Sequence, residues 1–309
     1  VFKNLSVLKK IPFILVTGFL GSGKTTFISH FLNVHSLNKR ILLIQNEFAE
    51  SGIDGEHLQS QGWNFSLVEM NKGSVFCVCL FSDFTRTIIE EIERCSPDMI
   101  LLEATGMADP IAIAQLLNAP QVKERLFLEH IYTIIDAPRF NVIGDKIGAI
   151  KHQIQVADTV VINKTDLIDG GEIELIANRV NSINPFAEIQ SSTFCSVEVG
   201  GRNGFFKPQP VAVRNNIQGD LTQCNPDYVS TVFKTTTRIK RETLGAFLHS
   251  LTEETYRLKG YACLTDGSSC MIQYVPGQIQ VIPVLRSRET TEMIAIGSVS
   301  INFNRLINQ

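Results

Sequence analysis

The sequence has no basic run, no apolar stretch of membrane-spanning length, no internal repeat and no low-complexity tract. The first absence argues against nucleic acid as the main partner, because 28 Lys plus Arg stand against 31 Asp plus Glu. The second argues against a membrane protein. The other two leave an ordinary globular chain. Seven cysteines at irregular spacing do not form a disulfide framework. They suit free thiols in a reducing compartment, so a cytoplasmic location is expected. Lys9 and Lys10 before an apolar run imitate a secretory leader, but the run is too short and its residues serve the next motif. With 44% hydrophobic residues over 309 positions, a substantial core is available, and two domains suit the length better than one.

What is present begins at Ile11–Thr26, IPFILVTGFLGSGKTT. Phe13–Val16 reads as a strand buried on both faces. Gly18, Gly21, Ser22, Gly23, Lys24 and Thr25 then satisfy G-x-x-x-x-G-K-[ST], with Thr26 following. Glycines let successive N–H groups curl toward phosphate oxygens. Lys24 carries a flexible charge to the β- and γ-phosphates. The Thr25 hydroxyl suits Mg²⁺, which prefers oxygen ligands. The helix that starts at Lys24 turns its N-terminus to the same anion.

Further along, Arg40–Gln45 and Phe65–Met70 read as strands. Between them Asn46–Gly55 is a loop carrying Glu47, Glu50 and Asp54, with Glu56 just beyond. It suits either a solvated acidic loop or a nucleotide-sensing switch. Asn71–Leu80 carries Cys77 and Cys79. On an extended chain their Cα atoms stand roughly 7 Å apart. Two sulfurs on one Zn²⁺ need about 4 Å, which requires a bend at Val78. A ligand pair and two small core residues fit this segment equally well. Asp83–Arg94 is predicted as a helix with Asp83 as its cap. Met99–Glu103 is a strand that ends in EATGMADP. Glu103 there is placed to meet Mg²⁺ or its water shell, and the Gly106 amide to touch the γ-phosphate.

His130–Asp136 and Thr159–Asn163 read as two more strands, the second running into Asn163-Lys164-Thr165-Asp166. A buried Asp166 carboxylate would accept both donors on the guanine edge, and adenine offers no such pair. Lys164 can lie along base and ribose. Glu172–Ile183 is a helix and Ala187–Ser191 a short strand. Strands alternating with helices predict an α/β fold, a parallel sheet with helices on both faces. Residues 1–199 form this phosphate-loop domain, 200–228 a Gly-, Pro- and Asn-rich linker, and 229–309 a smaller α+β domain. In the last, Val229–Thr236 is a strand, Lys240–Thr255 a helix, and strands are expected at Tyr256–Leu264, Cys270–Val275, Gln278–Val284 and Glu292–Ser298. Cys263, Cys270 and His249 read as core residues rather than ligands.

With these residues in view, the chain resembles the CobW-like family of P-loop GTPases, the metal-handling branch that includes UreG and HypB. The resemblance rests on GFLGSGKTT, NEFAESGIDG at Asn46–Gly55, EATGMADP, NKTD and the preceding HQIQVAD, and on YRLKGY at Tyr256–Tyr261. It implies GTP hydrolysis to GDP, Mg²⁺ as cofactor and nucleotide-dependent association, as a homodimer or with a protein client. It also implies delivery or insertion of a metal ion or cofactor to a client, with Zn²⁺ or another transition metal as candidates. The family carries glycine followed at once by C-x-C-C, where this chain has GSVFCVC. Two readings follow. In one, a GTPase metallochaperone holds the ion with Cys77, Cys79 and Glu47 or Glu50. In the other, a GTP-gated protein docks on an enzyme client and its cysteines are structural. A small-molecule kinase is a weaker third, because most such enzymes use ATP. Lys24 and Glu103 are the expected catalytic residues. Nothing in the sequence stands out as positioning the attacking water, so turnover is expected to be slow.

Overall fold

The computed structural model describes residues 10–45, 65–69, 81–106, 110–117, 119–143, 148–199, 229–252, 254–275, 278–284, 288–298 and 300–307. The chain divides into two compact units, 1–209 and 210–309. In the first, the elements are β1 (Ile11–Gly18), α1 (Lys24–His35), β2 (Ile41–Gln45), β3 (Phe65–Glu69), α2 (Phe81–Cys95), β4 (Met99–Glu103), α3 (Pro110–Leu117) and α4 (Pro120–Lys123). They continue with β5 (Leu126–Asp136), α5 (Ala137–Ile143), α6 (Gly148–Val156), β6 (Thr159–Asn163), α7 (Gly170–Ile183) and β7 (Glu188–Ser191). The strands form one parallel sheet in the order β3-β2-β4-β1-β5-β6-β7.

Alternation along the strands shows why helices cover both faces. Ile14, Val16, Tyr132, Ile134 and Val161 point into a core filled by Phe27, Ile28, Phe31 and Leu32 of α1. Residues of opposite parity, Ile135, Val160 and Ile162, meet Phe140, Ile154, Ile176 and Val180 of the helices on the other side. A strand buried on both faces needs an apolar run, and residues 13–16, 41–44, 99–102 and 160–162 supply it, with polar residues confined to the strand ends. The carbonyls that end α6 would otherwise be orphaned. The buried Asn184 amide reaches those of Ile154, Gln155 and Ala157 at 2.8–3.1 Å. After β1 the chain moves to one side, and from β5 onward to the other. Strand order therefore reverses beside the C-terminal end of β1, where open α/β sheets hold their ligands.

Two expectations for this unit change. Asp83 lies within the first turn of α2, not ahead of it as a cap. β5 begins four residues earlier than the apolar run, because Leu126 and Phe127 already pair with Ile11 and Pro12 of β1. Its first residues alternate buried and half-buried, so no continuous apolar run marks them.

In the second unit, β8 (Val229–Thr235), α8 (Arg241–His249), β9 (Thr255–Cys263), β10 (Ser269–Val275), β11 (Gln278–Val284) and β12 (Thr291–Gly297) make an antiparallel sheet in the order β11-β10-β9-β12-β8. One face carries α8, whose Leu244, Phe247 and Leu248 pack with Leu258, Ile272, Met293 and Phe303. Phe303 stacks on Phe233 at 5.0 Å. α8 stops at His249, well short of Thr255. Ser250 closes it, with its N–H on the Ala246 and Phe247 carbonyls and its hydroxyl on Phe247 O at 2.8 Å. Leu251 still packs on the core, so its apolar period extended the predicted helix without belonging to it. Cys263 and Cys270 are core residues as read, but His249 is exposed and bonds Gly245 O. The proposed linker 200–228 and the loops 46–55 and 71–80 lie outside the described residues. No helix among the described residues is long and apolar enough to cross a membrane.

Candidate nucleotide and metal site

β1 delivers its glycine-rich turn to the sheet's C-terminal edge. α1 then begins without help: Gly23 at its N-cap has φ +105°, no side chain caps it, and its first turn holds no acidic residue. A helix N-terminus with neither a side-chain cap nor a first-turn acid suits an external anion. Lys24 is buried, and its Nζ donates to the carbonyls of Gly18 at 3.1 Å and Phe19 at 3.4 Å. Ser22 is fully buried, and its hydroxyl has no partner among the described residues. Thr26, the third residue of the helix, is exposed.

Two neighbouring strand ends meet the loop. Glu103 ends β4, and its Oε1 accepts from Thr25 Oγ1 at 3.5 Å. Its Oε2 accepts from Gln45 Nε2, at the end of β2, at 2.9 Å. Two residues beyond Ala104, the backbone of Gly106 presses on the loop. A Cβ there would lie 2.7 Å from Leu20 N, so a larger residue would force the segment away. Gln153 Nε2 holds Gly106 O at 3.2 Å, and Gln153 O accepts from Thr133, whose hydroxyl meets Thr17. The HQIQVAD segment thereby supports the Gly106 turn from below.

On the opposite side, β6 brings up Asn163–Asp166. Asn163 is buried and works as a clamp. Its Nδ2 donates to Ser22 O at 2.9 Å and its Oδ1 accepts from Cys195 N at 2.9 Å. A side chain on Gly23 would strike Asn163 at 2.5 Å. Lys164 has a left-handed backbone, φ +63°. Its Nζ donates to Gly21 O at 2.7 Å and to Asp136 Oδ2 at 2.6 Å. Asp166 is exposed, in a 3₁₀ turn over Thr165–Leu167, and takes no hydrogen bond among the described residues. Burial, the condition under which Asp166 would reject adenine, is not met by the protein alone. The cap of α7 is Asp169, whose carboxylate accepts from Glu172 N at 2.8 Å, so Asp166 has no capping duty.

The structure thus gathers Gly18, Gly21, Ser22, Gly23, Lys24, Thr25, Glu103, Gly106, Asn163 and Lys164 around one loop, with Asp166 at its rim. Cys77, Cys79, Glu47 and Glu50 lie outside the described residues. Among the described residues, no group of three or more His, Cys, Asp or Glu is placed to hold a metal ion.

Three contributors escaped the sequence reading. Asp136, 6% exposed, orients Lys164 and also lies 3.9 Å from Arg139, which itself donates to Leu20 O at 3.2 Å. Its signal was available, since it ends a buried strand as Glu103 does. Gln153 had a signal only as part of HQIQVAD. Cys195 had none. It is buried with its Sγ on Gly23 O at 3.4 Å, and burial pushes its thiol up to about 12, against the pull of Lys164. A thiol so held stays protonated and packs.

Known proteins extend this picture. Residues 12–191 match the CobW/HypB/UreG nucleotide-binding domain model, and 228–309 the cobalamin synthesis protein cobW C-terminal domain model. The chain is similar to a zinc chaperone CobW of Sinorhizobium, 32% identical over 200 residues, 56% of each chain. It is also similar to the zinc chaperone YjiA of Escherichia coli, 27% identical over 208 residues, 64% of this chain and 63% of that one. The matches span between 46 and 63% of the length of the curated relatives. The crystal structure of Zn(II)-bound YjiA GTPase shares the fold, with TM-score 0.61 over 96% of this chain and 97% of that one at 21% identity. Through both of its units, the chain belongs to the CobW/HypB/UreG family of nucleotide-binding proteins, in the form that carries a CobW C-terminal domain.

Proposed function

We propose that the chain binds GTP on the β1–α1 loop, hydrolyses it slowly to GDP and phosphate, and uses that cycle to pass a transition metal, zinc, to a client protein. One observation carries the guanine part. Lys164 lies against the phosphate loop through Gly21 O, two residues before a carboxylate that takes no hydrogen bond among the described residues. A bound nucleotide would then be held at both ends by segments already tied together. Asp166 would accept the guanine donors, Lys164 would lie beside the sugar and base, and Lys24 would turn from loop carbonyls to the β- and γ-phosphates.

Thr25 and Glu103 fit Mg²⁺. They offer a hydroxyl and a carboxylate, both hard oxygen donors, 3.5 Å apart beside the loop. When bound, the ion neutralises charge that builds up on the phosphate oxygens. Gln45 holds Glu103 for this role, and in this reading the Gly106 amide would donate to the γ-phosphate.

Zinc as cargo is supported by the names of the relatives and by the chemistry of Cys77, Cys79, Glu47 and Glu50. A second reading, a GTP-gated protein that docks on an enzyme client or a second copy of itself without carrying metal, is favoured by Ser74 and the two-cysteine pattern in place of C-x-C-C. Measuring Zn²⁺ affinity against a chromophoric chelator, with GDP and with a non-hydrolysable GTP analogue, separates them. The chaperone reading predicts affinities that differ by roughly 5- to 150-fold between nucleotide states, with the reciprocal effect of zinc on nucleotide affinity. It also predicts loss of binding in Cys77→Ser/Cys79→Ser. Equal affinities in both states, or an unaffected double variant, leave the docking protein as the account.

A further inference from the structure

Phe194 and Cys195 follow one another with left-handed backbones, φ +53° at each. Bulky side chains rarely adopt that region, and it persists only where the surroundings impose it. Here they do, on both sides. Ser192 O accepts from the N–H and the hydroxyl of Thr165, at 3.2 and 3.0 Å. The Thr193 hydroxyl meets that of Thr165 at 3.5 Å. Cys195 N donates to Asn163 Oδ1, and its Sγ lies against Gly23 O. Phe194 therefore stands between two anchors, each fastened to the Asn163–Asp166 segment.

The burial of Cys195 explains why the chain turns there. It does not explain a phenyl ring one residue earlier that is 78% exposed and has no ring contact among the described residues. A single exposed hydrophobe is ordinary. One held at a strained backbone is not, when its neighbour Thr193 meets Thr165, the residue before an exposed carboxylate that takes no hydrogen bond among the described residues. A purine offers an edge for hydrogen bonds and two flat faces for packing. Water reaching the Asp166 edge would compete for the same donors, and an aromatic cover would exclude it.

We infer that Phe194 is a base-contacting residue: its ring packs on the guanine of the bound nucleotide and shields the bonds made by Asp166. The inference rests on the reading of Asp166 as the guanine contact. Because the base is common to GTP and GDP, loss of the ring costs both equally. Base–aromatic contacts of this kind set the expected loss at roughly 5- to 150-fold.

The test is equilibrium binding of GDP and of a non-hydrolysable GTP analogue to the full chain with Mg²⁺, together with thermal melting without nucleotide. Phe194→Gly is expected to raise the melting midpoint, since glycine adopts φ +53° without strain. It is also expected to weaken both nucleotides by the same factor. Phe194→Asn, which tolerates the same backbone but has no ring, should show the same loss, and Phe194→Tyr should bind like wild type. Unchanged affinity in the Gly and Asn variants overturns the inference. So does a loss confined to the GTP analogue, or a loss accompanied by a lower melting midpoint in both variants. If wild type binds no guanine nucleotide, it is the functional reading that fails.

Discussion

Replacing Asp166 by Asn is expected to lower GTP affinity by on the order of 100-fold and to turn the preference toward xanthosine triphosphate. The carboxylate can take two donors from guanine. An amide keeps one acceptor and presents a donor where the other lay, which matches the carbonyl of xanthine. Two charge-assisted bonds contribute about 3 kcal/mol, the equivalent of that affinity change. The substitution should leave the fold intact. Asp166 is exposed, caps no helix, and takes no hydrogen bond among the described residues, so there is little for Asn to disturb. Competition binding with GTP and xanthosine triphosphate on wild type and variant reads the effect. A variant that keeps full GTP affinity removes Asp166 from the base site.

Lys24→Ala is expected to abolish turnover. Its ammonium is buried and held by the Gly18 and Phe19 carbonyls, so the loop already carries the charge at the place the phosphates would occupy. Loss of one such electrostatic contact in a preorganised site lowers a rate by on the order of 10²–10³. Wild-type turnover is expected at roughly 10⁻⁴ to 10⁻² s⁻¹, by analogy with GTPases that lack an arginine supplied in trans. The variant would then fall below detection in single-turnover phosphate release. Melting should change little, since the side chain spans a loop rather than filling a core. A variant that turns over at the wild-type rate would show that the phosphates lie elsewhere.

The parts of the site that were legible in the sequence are those set by local rules. G-x-x-x-x-G-K-T needs a strand before it and a helix after it, and Ile11–Gly18 and Lys24–His35 are those elements. Thr159–Asn163 was bounded correctly because a run buried on both faces ends sharply at a polar motif. Glu103 and Gly106 were placed beside the loop by the same logic of strand ends. The rest was decided by contacts between segments distant in sequence. Asp136 pairs with a lysine 28 positions later, and Cys195 meets a glycine 172 positions earlier. The left-handed backbone at Phe194 and Cys195 is forced by anchors on Asn163 and Thr165, and neither residue type signals it. Rejection of adenine was read for a buried Asp166, and neither the motif nor its strand shows whether the carboxylate is covered. The protein alone leaves it at the rim. Leu251 misled for a different reason: an apolar residue in helical register can serve the same core from outside the helix.

The most direct test of the account is calorimetric titration of the purified full chain with GTP, GDP and ATP in the presence of Mg²⁺. The account predicts one site per chain in the β1–α1 unit, similar affinities for GTP and GDP, and at least 100-fold weaker binding of ATP, because adenine lacks the donor pair that Asp166 requires. ATP binding as tight as GTP would contradict the guanine reading, and with it the role proposed for Asn163–Asp166.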